Sequence, residues 1–160
     1  MSEIIKHECG TALILLLKPL EYYHRKYGTA LYGVNKLQLL LKKMRNRGQD
    51  GAGMATIKLN PKPGERYISR KRNNSANYLN NLFSDVYSYF KDCTPEQLND
   101  PAWLQENRPF TGELLLGHLR YGTHGVNTIE TCHPFLRQNN WISRNIVLAG
   151  NFNLTNVDEL

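Results

Sequence analysis

Apolar residues in this chain gather in short runs and in helical stripes, and the two patterns set out its elements. "TALILLL", ending at Leu17, has the length of a buried strand, although a Leu-rich run this short is not separated from helix by periodicity alone. Leu37, Leu40, Leu41 and Met44 recur at i, i+3, i+4 and i+7, which is one face of a helix. Basic residues crowd its last turn and Gly48 follows as a stop signal. "AGMATIKL" and "RYISRK" read as two strands joined through "NPKPGE", whose prolines and glycine mark a turn. Leu79, Leu82, Phe83, Val86 and Phe90 predict a second amphipathic helix, with Asn74 or Ser75 as its N-cap. In "TPEQL", Thr94 can cap, Pro95 suits the first helical position and Gln97 can reach back, so a short third helix is expected. "GELLLGHLRYG" and "RNIVLAGN" are two further apolar strands, each running into glycine. Strands interrupted by helices, without an internal repeat, make a mixed α and β pattern. The final "TNVDEL" opens a helix-start pattern, Asn156 as cap and Glu159 three residues on, just as the sequence stops. The expectation is a segment of a longer protein.

Composition narrows the class. The 160 residues suffice for one domain with a core, and 41% hydrophobic with 21% charged residues suits a globular protein. The net charge of +6 is scattered over His24-Arg25-Lys26, Lys42-Lys43 with Arg45 and Arg47, and Arg70-Lys71-Arg72. These clusters fall in different elements, which argues against a nucleic-acid interface. Cys9, Cys93 and Cys132 are an odd count at long separations, pointing away from a disulfide framework and toward a reducing compartment. The apolar run 12–17 is too short for a membrane span and lacks a signal-peptide cleavage pattern. A cytoplasmic protein without membrane partners is expected.

Four polar, glycine-containing clusters carry the candidate chemistry: Cys9-Gly10, "NRGQDGAG" from Asn46, "GHLRYGTHG" from Gly117, and "GNFNLTN" from Gly150. Each alone has a plain structural explanation, such as a tight turn, an Arg47–Asp50 ion pair or an asparagine cap. Together they are complementary. Cys9 offers a thiol nucleophile, Arg120 can grip a carboxylate through a bidentate pair, and Thr123 adds a hydroxyl. Asn151 followed by a backbone N–H offers the two donors of an oxyanion hole. That set describes acyl transfer from an amino-acid-like substrate. His7, His118, His124 and His133 are available as general bases, but spacing fixes a partner for none of them. A competing metal site, His7 and Cys9 with Cys132 and His133, lacks any finger or ribbon spacing. Cys132 can equally be a buried, inert thiol.

The order Cys-Gly, R-G-Q-D-x-A-G, G-H-x-R-Y-x-T and N-x-N-L-T-N resembles the glutaminase domain of the class II glutamine amidotransferases, and the match runs from residue 9 to 156. "RGQDGAG", "GHLRYGT" and "NLTN" favour the amidophosphoribosyltransferase branch over the glucosamine-phosphate and asparagine synthetase branches. The resemblance implies an α+β fold, the four-layer αββα sandwich of N-terminal-nucleophile hydrolases, incomplete here at the C-terminus. It implies that residues 1–8 are a propeptide, that 9–160 form the first part of the glutaminase domain, and that a phosphoribosyltransferase domain is missing. By position, Cys9 becomes the nucleophile whose own α-amine is the base, and Asn151 the side-chain oxyanion donor. Arg120 and Thr123 hold the glutamine α-carboxylate, while Arg47 and Gly48 line the pocket. Phe152 stands where the family usually has glycine, so its N–H is the second oxyanion donor. The segments from Cys9 to Arg47 and from Arg72 to Gly112 are longer than the family usual. The residue gripping the glutamine amine is expected beyond Leu160. No cofactor is implied for this segment. Mg2+ with phosphoribosyl pyrophosphate belongs to the missing domain, and the full-length protein is expected to be a homo-oligomer in purine synthesis. Two alternatives stay open: an unprocessed or inactive glutaminase-like module serving interaction, and the glutaminase domain of another branch.

Overall fold

The computed structural model describes residues 8–122 and 127–151. Three apolar segments, β1 (Gly10–Leu15), β2 (Gly51–Ile57) and β4 (Leu114–Arg120), join the largely basic β3 (Ile68–Asn73) in one antiparallel sheet ordered β1-β4-β2-β3. A second, two-stranded antiparallel sheet pairs β5 (Phe135–Arg137) with β6 (Ile146–Leu148). Helices α1 (Leu20–Tyr27), α2 (Tyr32–Lys43), α3 (Tyr78–Ser88), α4 (Pro95–Leu98) and α5 (Pro101–Asn107) complete an α+β chain.

The period-2 geometry of β4 divides its side chains between two faces. Leu115, Gly117 and Leu119 turn toward the helices, where a Cβ on Gly117 would lie 2.8 Å from Leu37 Cδ1. Leu37 and Leu41 of α2, Leu82, Phe83 and Val86 of α3, and Met54 and Ala52 of β2 complete this core, each at most 1% exposed. Burial of each large apolar side chain contributes about 1.5–3 kcal/mol. Leu116, His118 and Arg120 turn to the opposite face. There the segment leading into β5 lies across β2 and β3. Arg72 donates to the carbonyls of Cys132 (3.0 Å) and Glu130 (3.2 Å), and Arg70 donates to that of Pro134 (3.5 Å). Gly53 permits this approach, since a Cβ there would sit 2.1 Å from the His133 carbonyl oxygen. Helix layer, main sheet and the start of a second sheet are thus in place. A helix layer outside that second sheet is not among the described residues.

Several local expectations need correction. Helix α1 escapes a stripe search because only Leu20 of its residues is buried, and it ends on Gly28 in the left-handed region at φ 74°. Gly48 does not cap α2; a 3-10 turn, Arg45–Arg47, intervenes, and Gly48 is extended. The N-cap of α3 is Asn77 rather than Asn74 or Ser75. Ser75 instead accepts the Tyr78 N–H on its carbonyl while its own N–H goes to the Asn73 side chain. Thr94 and Gln97 make the reciprocal capping box that "TPEQL" predicts. Helix α5, capped by the Asp100 side chain and opened by Pro101, and the three-residue β5 carry too little periodicity to be foreseen. The "TNVDEL" pattern lies outside the described residues. No described helix is long and apolar enough to cross a membrane.

Candidate functional site

The site gathers at one end of β4, where β1 and β2 flank it. Gly10 pairs with Leu119 across β1–β4, and Gly51 pairs with Arg120 across β2–β4. Cys9 therefore arrives beside the last residues of β4. Its half-buried sulfur accepts the Tyr121 N–H at 3.4 Å and lies 3.8 Å from the Tyr121 carbonyl oxygen. Preceding it, Glu8 is exposed.

The segment carrying Arg47 and Gly48 runs along the same end. A Cβ on Gly10 would meet Arg47 Cβ at 3.4 Å, which puts the Arg47 backbone beside the cysteine. Gly48 presses on β4 itself: a Cβ there would fall 2.6 Å from the carbonyl carbon and oxygen of Leu119. The buried Tyr78 hydroxyl donates to the Gly48 carbonyl at 2.9 Å, pinning this turn to α3. The Arg47 side chain itself is exposed.

Arg120 is the unusual group. It is only 6% exposed, yet none of the ion pairs among the described residues includes it. One guanidinium nitrogen donates to Asn127 Oδ1 at 2.7 Å. Asn127 in turn donates to the Asp50 carbonyl at 2.9 Å, and the Asp50 N–H donates to the Arg120 carbonyl at 3.0 Å. The Arg47–Asp50 pair offered as the plain structural alternative does not form among the described residues; the Asp50 carboxylate accepts the Gly122 N–H at 2.7 Å instead. Gly122 must stay small, since a Cβ there would lie 2.9 Å from Arg120. Asp50, Gly122 and Asn127 thus frame a buried guanidinium that forms no ion pair with a carboxylate among the described residues. A buried cation is strongly unfavourable unless an anion meets it, and its planar fork fits a carboxylate.

Two residues along β4 on the same face, His118 is 1% exposed, and its Nε2 lies 3.2 Å from the Gly150 carbonyl. Burial first, then the charge of His133, pushes it down to about 4, with Arg120 adding to the effect and the Gly150 bond opposing it. His133 Nδ1 accepts the Gly150 N–H at 3.2 Å, and burial also holds His133 below the ordinary histidine range. Both imidazoles are thus neutral near pH 7. Asn151 follows Gly150 and is exposed. Thr123, Phe152, His7 and His124 lie outside the described residues. Cys132 is fully buried, with its sulfur 2.6 Å from where a Gly51 Cβ would be, and burial pushes its thiol up, as suits an inert cysteine. Among the described residues, no group of three or more His, Cys, Asp or Glu is placed to hold a metal ion.

Cys9, Arg47, Gly48 and Arg120 are therefore brought to one strand end. Reading the residues singly missed Asn127, Tyr78 and the Gly150 contacts. Asp50, inside "RGQD", was visible, but its partner is distant in sequence.

Residues 79–160 match the family profile of the class II glutamine amidotransferases. The chain belongs to this family. Members of it are enzymes that draw nitrogen from glutamine. Among curated proteins, the amidotransferase chain is similar to an amidophosphoribosyltransferase of Methanocaldococcus jannaschii, at 31% identity over 119 residues and 73% of this chain. It spans only 19% of that relative's length. No solved structure matches.

Proposed function

We propose that this chain is the glutaminase part of an amidophosphoribosyltransferase. The observation that carries the proposal is Arg120, a buried guanidinium without a carboxylate partner among the described residues, held within reach of the strand end that bears Cys9. Glutamine supplies that carboxylate. Arg120, with Thr123, grips its α-carboxylate, and Arg47 and Gly48 wall the pocket in which the side-chain amide reaches Cys9.

Cys9 attacks the amide carbon, and the thiol proton passes to its own α-amine. With reference values of about 7.7–8.0 for the amine and about 8.5 for the thiol, this transfer is nearly balanced. The Asn151 side chain and the Phe152 N–H stabilise the tetrahedral oxyanion. The C–N bond then breaks, ammonia leaves with the proton from the α-ammonium, and a glutamyl thioester remains on Cys9. Water attacks the thioester with the α-amine again as base, and glutamate is released. While Glu8 is joined to Cys9 the nitrogen is an amide without a basic lone pair. Removal of residues 1–8 therefore switches the site on, and the exposed Glu8 leaves that bond accessible.

In the full-length protein, ammonia passes to phosphoribosyl pyrophosphate, which a phosphoribosyltransferase domain holds with Mg2+, in a cytoplasmic homo-oligomer serving purine synthesis. The similarity to the archaeal amidophosphoribosyltransferase supports this acceptor. Cys9→Ala in the full-length protein is expected to abolish glutamine-dependent activity and spare activity with added ammonia. Equal loss of both would overturn the proposal.

A further inference from the structure

We propose that His118 and His133 are positioning residues, which between them fix the Gly150 backbone and so aim the Asn151 side chain at the Cys9 site. The inference rests on the roles given above to Cys9 and Asn151.

The two imidazoles hold opposite ends of one residue. His118 Nε2 faces the Gly150 carbonyl at 3.2 Å, and His133 Nδ1 faces the Gly150 N–H at 3.2 Å. These contacts dictate the tautomers. A carbonyl oxygen only accepts, so His118 carries its proton on Nε2; an N–H only donates, so His133 Nδ1 is bare. One neutral donor and one neutral acceptor are required, and the buried setting keeps both rings in that form. The rings also touch each other, with centroids 4.5 Å apart, and His133 packs edge-on against Phe135 at 4.2 Å. The bracket is therefore braced by β4 on one side and by the entry to β5 on the other.

Packing alone does not account for His118. Its Nδ1 finds no hydrogen-bond partner among the described residues, which is unfavourable in a side chain 1% exposed. An apolar side chain would fill the same space without that penalty. What the imidazole adds is the bond to Gly150. His118 and Arg120 are two residues apart on one strand face, their backbone positions about 7 Å apart along β4, so Gly150 is anchored on the face that carries the guanidinium. In the proposed arrangement Asn151, the next residue along the chain, faces the glutamine site from there. Fixing both backbone groups of the preceding residue restricts the rotation that would swing the Asn151 amide away. An oxyanion donor acts through preorganisation, so a small loss of aim is expressed in the transition state rather than in substrate binding.

The test is a double-mutant cycle in the full-length protein, reading glutamine hydrolysis. His133→Phe keeps a ring but loses the acceptor, and His133→Asn restores an acceptor near the Nδ1 position. We expect His133→Phe to lower kcat about 10–100-fold with KM nearly unchanged, and His133→Asn to recover most of the loss. In an Asn151→Ala background, His133→Phe should add little further loss, because the donor it aims is gone. Should His133→Phe fail to fold, the pair His118→Leu and His118→Gln replaces it, glutamine keeping a donor near Nε2. A wild-type kcat in the acceptor-less variant, a KM effect without a kcat effect, or full additivity with Asn151→Ala would overturn the inference. Glutamine hydrolysis surviving in Cys9→Ala would instead overturn the underlying assignment of the nucleophile.

Discussion

Gly48→Ala tests how tightly the proposed pocket wall is fitted to the sheet. A Cβ at Gly48 would lie 2.6 Å from the Leu119 carbonyl carbon and oxygen and 2.8 Å from the Arg120 carbonyl carbon, where ordinary contact begins at 3.4 Å. All three atoms belong to the backbone of β4, which is paired on both sides by β1 and β2, so the strand does not yield. The turn carrying Arg47 and Gly48 must back away instead, by about 0.8 Å, the difference between those contact distances. Gly48 is extended at φ −151°, so alanine brings no backbone strain and the whole effect is steric. Overpacking of this kind costs about 1–3 kcal/mol. The same retreat stretches the Tyr78–Gly48 bond at 2.9 Å and the Asp50–Arg120 bond at 3.0 Å, each worth about 1 kcal/mol. A net loss of about 3–5 kcal/mol follows, together with a raised KM for glutamine. Gly33→Ala is the control. Its nearest obstacle, at 2.9 Å, is the methyl end of Leu115, and alanine favours helix α2 over glycine by about 1 kcal/mol. Native-state hydrogen exchange on β4 amides reads the stability, and steady-state glutaminase kinetics read the pocket. The reasoning fails if Gly48→Ala leaves both unchanged, or if Gly33→Ala is equally damaging.

Other predictions concern single groups. Arg120→Lys keeps the charge but loses the fork, so KM for glutamine should rise at least about tenfold with a smaller change in kcat; unchanged KM in steady-state assays argues against the clamp. His118 is pushed down to about 4, so folding favours its neutral form. Its stabilising share is complete above about 6.5 and is lost as pH falls toward 4, amounting to about 3 kcal/mol. Urea midpoints measured across that window should fall, and His118→Gln should flatten the fall; an identical slope in the variant contradicts it. Leu37→Ala, at a position with no exposure, should cost about 2–5 kcal/mol by the same denaturation assay without a selective effect on glutamine KM.

What was legible in the sequence follows from how local each signal is. The stripe at Leu79, Leu82, Phe83 and Val86 is a property of one helix, and the capping box at Thr94 of four residues, so both were readable from adjacent positions. Cys9 and Arg120 were readable because their chemistry is carried by residue type. Asn127 was not, since an asparagine in a loop looks like a turn former until Arg120 and Asp50 meet it. In sequence Arg47 is the near charged partner for Asp50, whereas the sheet delivers its carboxylate to Gly122, 72 positions away. Gly150 was legible as the start of a candidate loop, but not its contacts, because the two histidines that hold it stand 32 and 17 positions away. Helix α1 and strand β5 were missed for a different reason: one buries a single residue and the other has three.

The central claim is that Cys9, as an N-terminal residue, is the nucleophile of a glutamine site. Treating the full-length protein with a diazoketone analogue of glutamine, then mapping the adduct by peptide mass spectrometry, tests it most directly. The account predicts one adduct, on Cys9, in a peptide that begins at Cys9 with a free α-amine, and protection by excess glutamine. Labelling of Cys93 or Cys132 in its place, or glutamine hydrolysis by protein whose Cys9 remains unlabelled and joined to Glu8, would contradict it.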